Sequence, residues 1–127
     1  MTEGAKLYSA PVDGITIRAE DMSDAPGRWD SYVMSHPYGT VFHTESWQRL
    51  IQSSFGHRPL HLVAETHEGA ISGICPLFLV HSGIFGRMLI STPQAAYGGI
   101  LADNPSVTQS LYEKAQGLAR DNNVQFL

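Results

Sequence analysis

The sequence holds one cysteine, Cys75, so no disulfide can close within the chain. Basic residues are few and stand singly: Lys6, Arg18, Arg28, Arg49, Arg58, Arg87, Lys114 and Arg120 are scattered through a chain of net charge -4, which argues against autonomous nucleic-acid binding. No basic start followed by an apolar run and a small-residue cleavage site is present, and with the lone thiol this leads us to expect a reducing, cytoplasmic setting. The longest apolar run, Ile74 to Val80, is too short for a bilayer span and contains Pro76, so no transmembrane helix is expected. Charged residues make up 16% of the chain, below the usual quarter, and a sparsely charged surface hints at a partner that covers part of it.

The familiar chemical motifs are missing too. There is no Cys pair and no His-Glu-x-x-His run, and Arg58 and Pro59 between His57 and His61 break any shared helical face, so no metal is expected despite six histidines. Gly-x-Ser-x-Gly is absent, which excludes the usual serine-hydrolase elbow. Neither Gly-x-x-x-x-Gly-Lys-Ser/Thr nor Gly-x-Gly-x-x-Gly occurs, so no standard phosphate-cradling loop exists. Cys75 lies within Ile-Cys-Pro-Leu-Phe, where packing is a better reading than a depressed-pKa nucleophile.

What is present is a single α/β (α+β) domain. Residues 1–12 show no apolar period and read as a loose or disordered end, and 13–127 read as one domain, since 127 residues suffice for one core and no linker or repeat interrupts them. Ile15 to Ile17 read as a first strand. A helix is expected from about Ala25 to Ser35, with acidic and serine cap candidates over Asp21 to Pro26, ending at His36-Pro37-Tyr38-Gly39. The next is expected to open at an N-cap Thr44 with Trp47, Leu50, Ile51 and Phe55 as its apolar stripe, and to stop at Gly56. His61 to Thr66 and Ala70 to Val80 read as a hairpin of two long strands. Met88 to Ser91 and Tyr97 to Leu101 read as further extended pieces. Asn104 and Pro105 open a last helix with Val107, Leu111, Ala115 and Leu118 on one face. Apolar Val124 to Leu127 resembles the first residues of another strand, which leads us to expect a chain that is part of something longer.

Candidate functional residues cluster in two places. Gly98-Gly99 after Tyr97 permits an unusual backbone and close approach of a ligand, although a bulge or tight bend explains the pair equally. Tyr38, Phe42, His43 and Arg49 lie around a helix entry that can line a cleft. Trp29 and Trp47 belong to apolar stripes and read as core anchors.

The ordered series Gly39-Thr40-Val41-Phe42-His43-Thr44, Trp47, Phe55-Gly56-His57-Arg58-Pro59, Pro76-Leu77-Phe78-Leu79, Phe85-Gly86-Arg87, Ser91-Thr92-Pro93 and Tyr97-Gly98-Gly99-Ile100 resembles the Fem-type family, and within it FemAB-like proteins associated with the exosortase and PEP-CTERM system. The resemblance runs from about Ile15 to Leu127. It implies a GNAT-like acetyltransferase fold, a mixed and mostly antiparallel sheet flanked by helices, of which Fem-type proteins carry two packed copies. This chain would supply the first copy, with the C-terminal half of the same polypeptide as its partner. The implied reaction moves an acyl or aminoacyl group to an amine on a cell-envelope, peptidoglycan or exopolysaccharide precursor. The acceptor site implied by the resemblance comprises Tyr97, Gly98 and Gly99, with His43, Arg49 and Arg58 as further substrate-binding candidates and no catalytic residue assigned. Where Fem enzymes carry an Arg-Gly-Pro-like motif near the acceptor, this sequence has Tyr97-Gly98-Gly99. The coenzyme A loop of ordinary acetyltransferases is missing between Leu101 and Ser106, so no cofactor is expected for this stretch alone, while acyl-CoA or aminoacyl-tRNA would serve the full-length protein. The competing expectation is a binding or scaffold module that keeps the fold without the chemistry.

Overall fold

The computed structural model describes residues 14–20, 26–83, 86–91 and 99–126, with residues 82, 125 and 126 described by backbone alone. In chain order the elements are β1 (Ile15–Ala19), α1 (Arg28–Ser35), a 3-10 turn (Val41–His43), α2 (Glu45–Phe55), β2 (Arg58–Pro59), β3 (Leu62–Thr66), β4 (Ile71–Cys75), β5 (Phe78–Ser82), β6 (Gly86–Ile90), β7 (Leu101–Ala102), α3 (Pro105–Asp121) and β8 (Gln125–Phe126). The strands form two four-stranded sheets, ordered β1-β3-β4-β7 and β2-β5-β6-β8. All pairs are antiparallel except β6 with β8, so the mixed, mostly antiparallel arrangement holds.

Period-two alternation sorts the strand residues between two helical layers. Leu62, Ala64 and Cys75 of the first sheet and Leu89 of the second pack with Val107, Leu111, Ala115 and Ala119, so α3 crosses one face of both sheets. On the other face Val63, Ile74 and Leu101 pack with Trp29 and Val33 of α1. Beside them Phe78, Val80 and Ile90 pack with Trp47 and Ile51 of α2. α3 therefore ties the sheets together from one side, and α1 and α2 cover one sheet each from the other.

Local sequence explains the ends of the helices. Asn104 accepts the Val107 N–H through its side chain and Pro105 occupies the first turn of α3. Thr44 caps α2, and Gly56 ends it at φ 69, a left-handed geometry that glycine adopts without strain. α1 begins later than expected, at Arg28, because Gly27 at φ 86 turns the chain there; the acidic and serine cap candidates at 21–25 lie outside the described residues. Its N-terminal amides are met instead by Glu45, whose carboxylate accepts from Gly27 N at 3.0 Å and Asp30 N at 3.1 Å, while Asp30 Oδ1 accepts from Glu45 N at 2.8 Å. Each helix thus caps the other through a carboxylate at its positive end.

Three expectations are corrected. Ala70 to Val80 is not one strand: Pro76 has no N–H for a ladder, and β4 ends at Cys75 in one sheet while β5 begins at Phe78 in the other. On α2 the buried positions are Glu45, Gln48 and Ile51, whereas Leu50 and Phe55 are about half exposed and Trp47 is only partly buried. On α3 the inward residue of the last turn is Ala119 rather than Leu118, which stays on the margin of the core.

Candidate functional site

The two sheets part at Pro76-Leu77, and the residues that bridge the parting are mostly imidazoles and aromatics. His61 lies between the α1 and α2 clusters, its ring 5.6 Å from Trp29 and 4.8 Å from Phe78 by centroids. Its Nδ1 accepts the Leu77 N–H at 3.0 Å, and Leu77 O accepts from Leu60 N at 2.9 Å, so the crossover keeps its backbone bonds. Burial pushes His61 down to about 4, which leaves a neutral ring inside the protein.

The register of β4 with β7 pairs Gly73 with Ala102 and Ile74 with Leu101, and Asp103 N donates to Ser72 O at 2.9 Å. Continued by two residues, that register sets Gly99 opposite Pro76, which has no N–H to donate. Gly99 lies beyond that pairing at φ 106, in a conformation that side chains rarely adopt, with its backbone near the His43 ring.

His43 is buried at the end of the 3-10 turn. Its Nδ1 accepts the Thr40 N–H at 3.1 Å and lies 2.9 Å from Thr40 Oγ1, while its carbonyl accepts the Trp29 indole N–H at 2.6 Å. Because a backbone N–H can only donate, Nδ1 is bare and the proton sits on Nε2. Burial holds this ring below the ordinary imidazole range; the Gly99 backbone bond pulls the other way, and the nearby His36 adds to the lowering. His36 repeats the pattern one turn earlier, with Nδ1 accepting from Tyr38 N at 3.0 Å and Nε2 bonded to Ala102 O at 2.8 Å. The His36 ring therefore has both nitrogens engaged, an arrangement suited to holding a strand and not to taking a proton from a substrate.

The residues singled out from the sequence are only partly brought together. His43 and Gly99 meet. Tyr97 and Gly98 lie outside the described residues. Arg49 sits on the exposed side of α2, 3.3 Å from Glu45, where it braces the carboxylate that caps α1. Arg58 is exposed on β2, an edge of the second sheet. His36, Glu45 and Gln48 were not anticipated as site residues, and His61 was weighed only as a metal ligand. The His36-Pro37 boundary was the available signal for the first; nothing in the periodicity marks the others. Among the described residues no group of three metal-ligating side chains forms, and no helix is long and apolar enough to cross a membrane.

At the start of α3 few amides are left for an anion. Pro105 has none, Val107 N donates to Asn104 Oδ1 at 3.1 Å, and Thr108 N donates to Asn104 O at 3.2 Å. Asp103 stands just before them, with Oδ1 accepting the Tyr32 hydroxyl at 2.8 Å. Cys75 is fully buried and its thiol is pushed up to about 12 by burial. Among the described residues four buried polar atoms lack a partner, and three of them, Trp47 Nε1, Gln48 Oε1 and Ser91 Oγ, belong to α2 and to the residue just after β6.

No family model matches the chain, and no curated protein matches it. Among solved structures it is similar to one described as "Putative acetyl transferase from Pyrococcus furiosus", with a TM-score of 0.53 and 14% identity over 89% of this chain and 80% of that one. At that identity the likeness concerns the fold, and the chain has an acetyltransferase-like fold.

Proposed function

We propose that the chain is the acceptor-binding domain of an N-acyltransferase, moving an acyl or aminoacyl group to the amine of a cell-envelope or exopolysaccharide precursor, with a C-terminal half of the same polypeptide completing the enzyme. The observation that carries this reading is the acetyltransferase-like fold with its sheets parting beside Gly99 and His43. Attack of an amine on an ester or thioester passes through a tetrahedral intermediate, which needs the reactants held close and fixed donors for the oxyanion. Tyr97 and the backbone around residues 97–99 are the groups assigned to grip the acceptor, with His43 near Gly99. Arg49 and Arg58 are left as peripheral contacts. The committed amides and the carboxylate of Asp103 at the start of α3 make a poor seat for the diphosphate of acyl-CoA. That favours a charged tRNA as donor for the full-length protein.

A second reading, a non-catalytic binding module, is favoured by one observation: His36, bonded to β7, keeps no free ring nitrogen for proton transfer. Calorimetric titration of the full-length protein with acyl-CoA, aminoacyl-tRNA and nucleotide-linked sugar precursors, followed by mass spectrometry of the acceptor, separates the two. The transferase reading expects acceptor binding, lost on Tyr97→Ala or Gly98→Val, and a mass gain on the acceptor amine. Binding without any mass gain supports the module, and binding of none of the three classes overturns both.

A further inference from the structure

Basic residues that stand singly along the chain meet on one face of the second sheet. The β2–β5 register sets Arg58 opposite Leu79, and the β5–β6 register sets Leu79 opposite Leu89 and His81 opposite Arg87. Directly paired residues share a face, and so do residues two apart on one strand. Arg58, His81 and Arg87 therefore stand on the same side as Leu79 and Leu89. That side is the one α3 covers, since Leu60, Leu77 and Leu89 pack with Ala115 and Ala119. Arg87 confirms it, because its Nη2 donates to Asn122 O at the C-terminal end of α3, at 3.3 Å. The leucines are closed off by the helix, while the three basic side chains around its end are exposed.

Nothing in the sheet neutralises them. Its strands contain no Asp or Glu, and among the described residues no carboxylate, the neighbouring Asp121 included, pairs with any of the three. Arg18 and Arg28 are instead tied to Glu20 and Glu65, and Arg49 to Glu45. Arg87 spends one of its five N–H groups on Asn122 O, and the Arg58 guanidinium spends none among the described residues. Like charges gathered on one sheet face repel, and an anion in their midst removes that cost.

We propose that Arg58, His81 and Arg87 form a binding site for a diphosphate group. Paired side chains on adjacent strands stand about 5 Å apart at Cβ and diagonal ones about 7–8 Å apart. His81 thus lies between its direct neighbour Arg87 and its diagonal neighbour Arg58, within the reach of both arginine side chains. Guanidinium forks match phosphate oxygens two at a time, so each arginine takes one phosphate and the His81 ring N–H meets the oxygens between them. The occupant is a compact anion and not a polynucleotide. A phosphate backbone needs a track of free cations, and Arg18, Arg28 and Arg49 are held by carboxylates. The site does not depend on the acyl-transfer reading.

The test is a titration of the intact chain with inorganic pyrophosphate, followed by 15N–1H shifts at about 0.1 M salt, where charges more than about 10 Å away are screened. Saturable shifts at Arg58, His81 and Arg87 with one common Kd are expected. Arg58→Gln removes an exposed side chain that bonds nothing described, so the fold is kept, and it is expected to weaken binding at least about fivefold. Lys114→Gln removes the same charge about 12 Å back along α3 from Asn122, and is expected to leave the Kd within about twofold. Absence of saturable shifts at the three residues overturns the site, and so does an Arg58→Gln chain that binds as before. Equal weakening by Lys114→Gln also overturns it, since net charge alone would then explain the affinity. A single-stranded oligouridylate that binds the same residues more tightly than pyrophosphate refutes the compact anion.

Discussion

Acidification of His61 gives the most quantitative test of the parted-sheet architecture. The ring is 5% exposed, lies between Trp29 and Phe78, and is pushed down to about 4 by loss of water. An unfolded-chain histidine titrates near 6.5. The folded value is the lower one, so the unfolded chain binds the proton first as pH drops. The stabilisation is full above about 6.5 and is lost as pH falls from there to about 4, below which both states are protonated. A difference of about 2.5 units corresponds to about 3 kcal/mol, a large part of the roughly 5–15 kcal/mol that holds an ordinary domain. Glu65 contributes in the same direction, because its hydrogen bond to Arg18 holds it below the usual carboxylate range and that stability too is lost as pH falls through its folded value. The contribution of His61 is therefore read as a difference against His61→Gln, whose amide oxygen can still accept the Leu77 N–H without titrating. Urea unfolding followed by tryptophan fluorescence, repeated from pH 7 to pH 4, is expected to show the unmodified chain losing about 3 kcal/mol more than the variant. Parallel curves for the two proteins, or a His61 ring that titrates near 6.5 by NMR, would refute the argument.

Two further predictions concern the layers around that seam. A Cβ at Gly73 would stand 2.8 Å from Val107 Cγ1, 2.9 Å from Leu111 Cδ1 and 3.1 Å from the Leu101 backbone oxygen, so α3 could not keep its seat on β4. Gly73→Ala is expected to cost about 1–3 kcal/mol as overpacking, read as a lower urea midpoint at unchanged slope; an unshifted midpoint contradicts the packing described. Cys75, buried and pushed up to about 12, should resist iodoacetamide at pH 8 in the folded protein and react fully in urea. Stoichiometric labelling without denaturant would place the thiol elsewhere.

The parts of the fold legible in the sequence are those fixed by neighbours along the chain. Thr44, Asn104, Pro105 and Gly56 mark helix ends because the capping group and the amide or carbonyl it serves lie within one turn of each other. The two-residue alternation of Leu62 to Ala64, and the helical spacing of Val107, Leu111 and Ala115, report burial against whatever lies opposite without naming it. Gly99 was identified as a special backbone position from its type alone, and its left-handed φ agrees with that. Pro76 was visible as well, yet its consequence was not: inside an apolar run the proline reads as a blemish in one strand. It becomes a boundary only because β5 finds a different partner, β6, and so a different sheet.

The site was harder to read for a related reason. Hydrophobic periodicity ranks Leu50 and Phe55 above Glu45 and Gln48, and of its four stripe residues on α2 only Ile51, with Trp47 beside it, lies on the inward face. What reverses the ranking is a set of bonds that exist only across space. Glu45 is buried because the N-terminus of α1 supplies two amides for its carboxylate, and Gln48 because the Phe42 carbonyl accepts its amide at 2.8 Å. A charged or amide side chain goes inside when its partners are already in place, since burial without them costs more than exposure of a leucine. His43 follows the same logic: its Nδ1 accepts the Thr40 amide N–H and its carbonyl accepts the Trp29 indole N–H, so it too is buried with partners in place. The imidazoles at the seam thus serve first to hold backbone, His61 through the Leu77 amide and His36 through the Tyr38 amide and the Ala102 carbonyl. Any chemistry proposed for His43 has to be compatible with that duty: the Thr40 amide occupies Nδ1, so the ring is not assigned to accepting a proton from the acceptor amine.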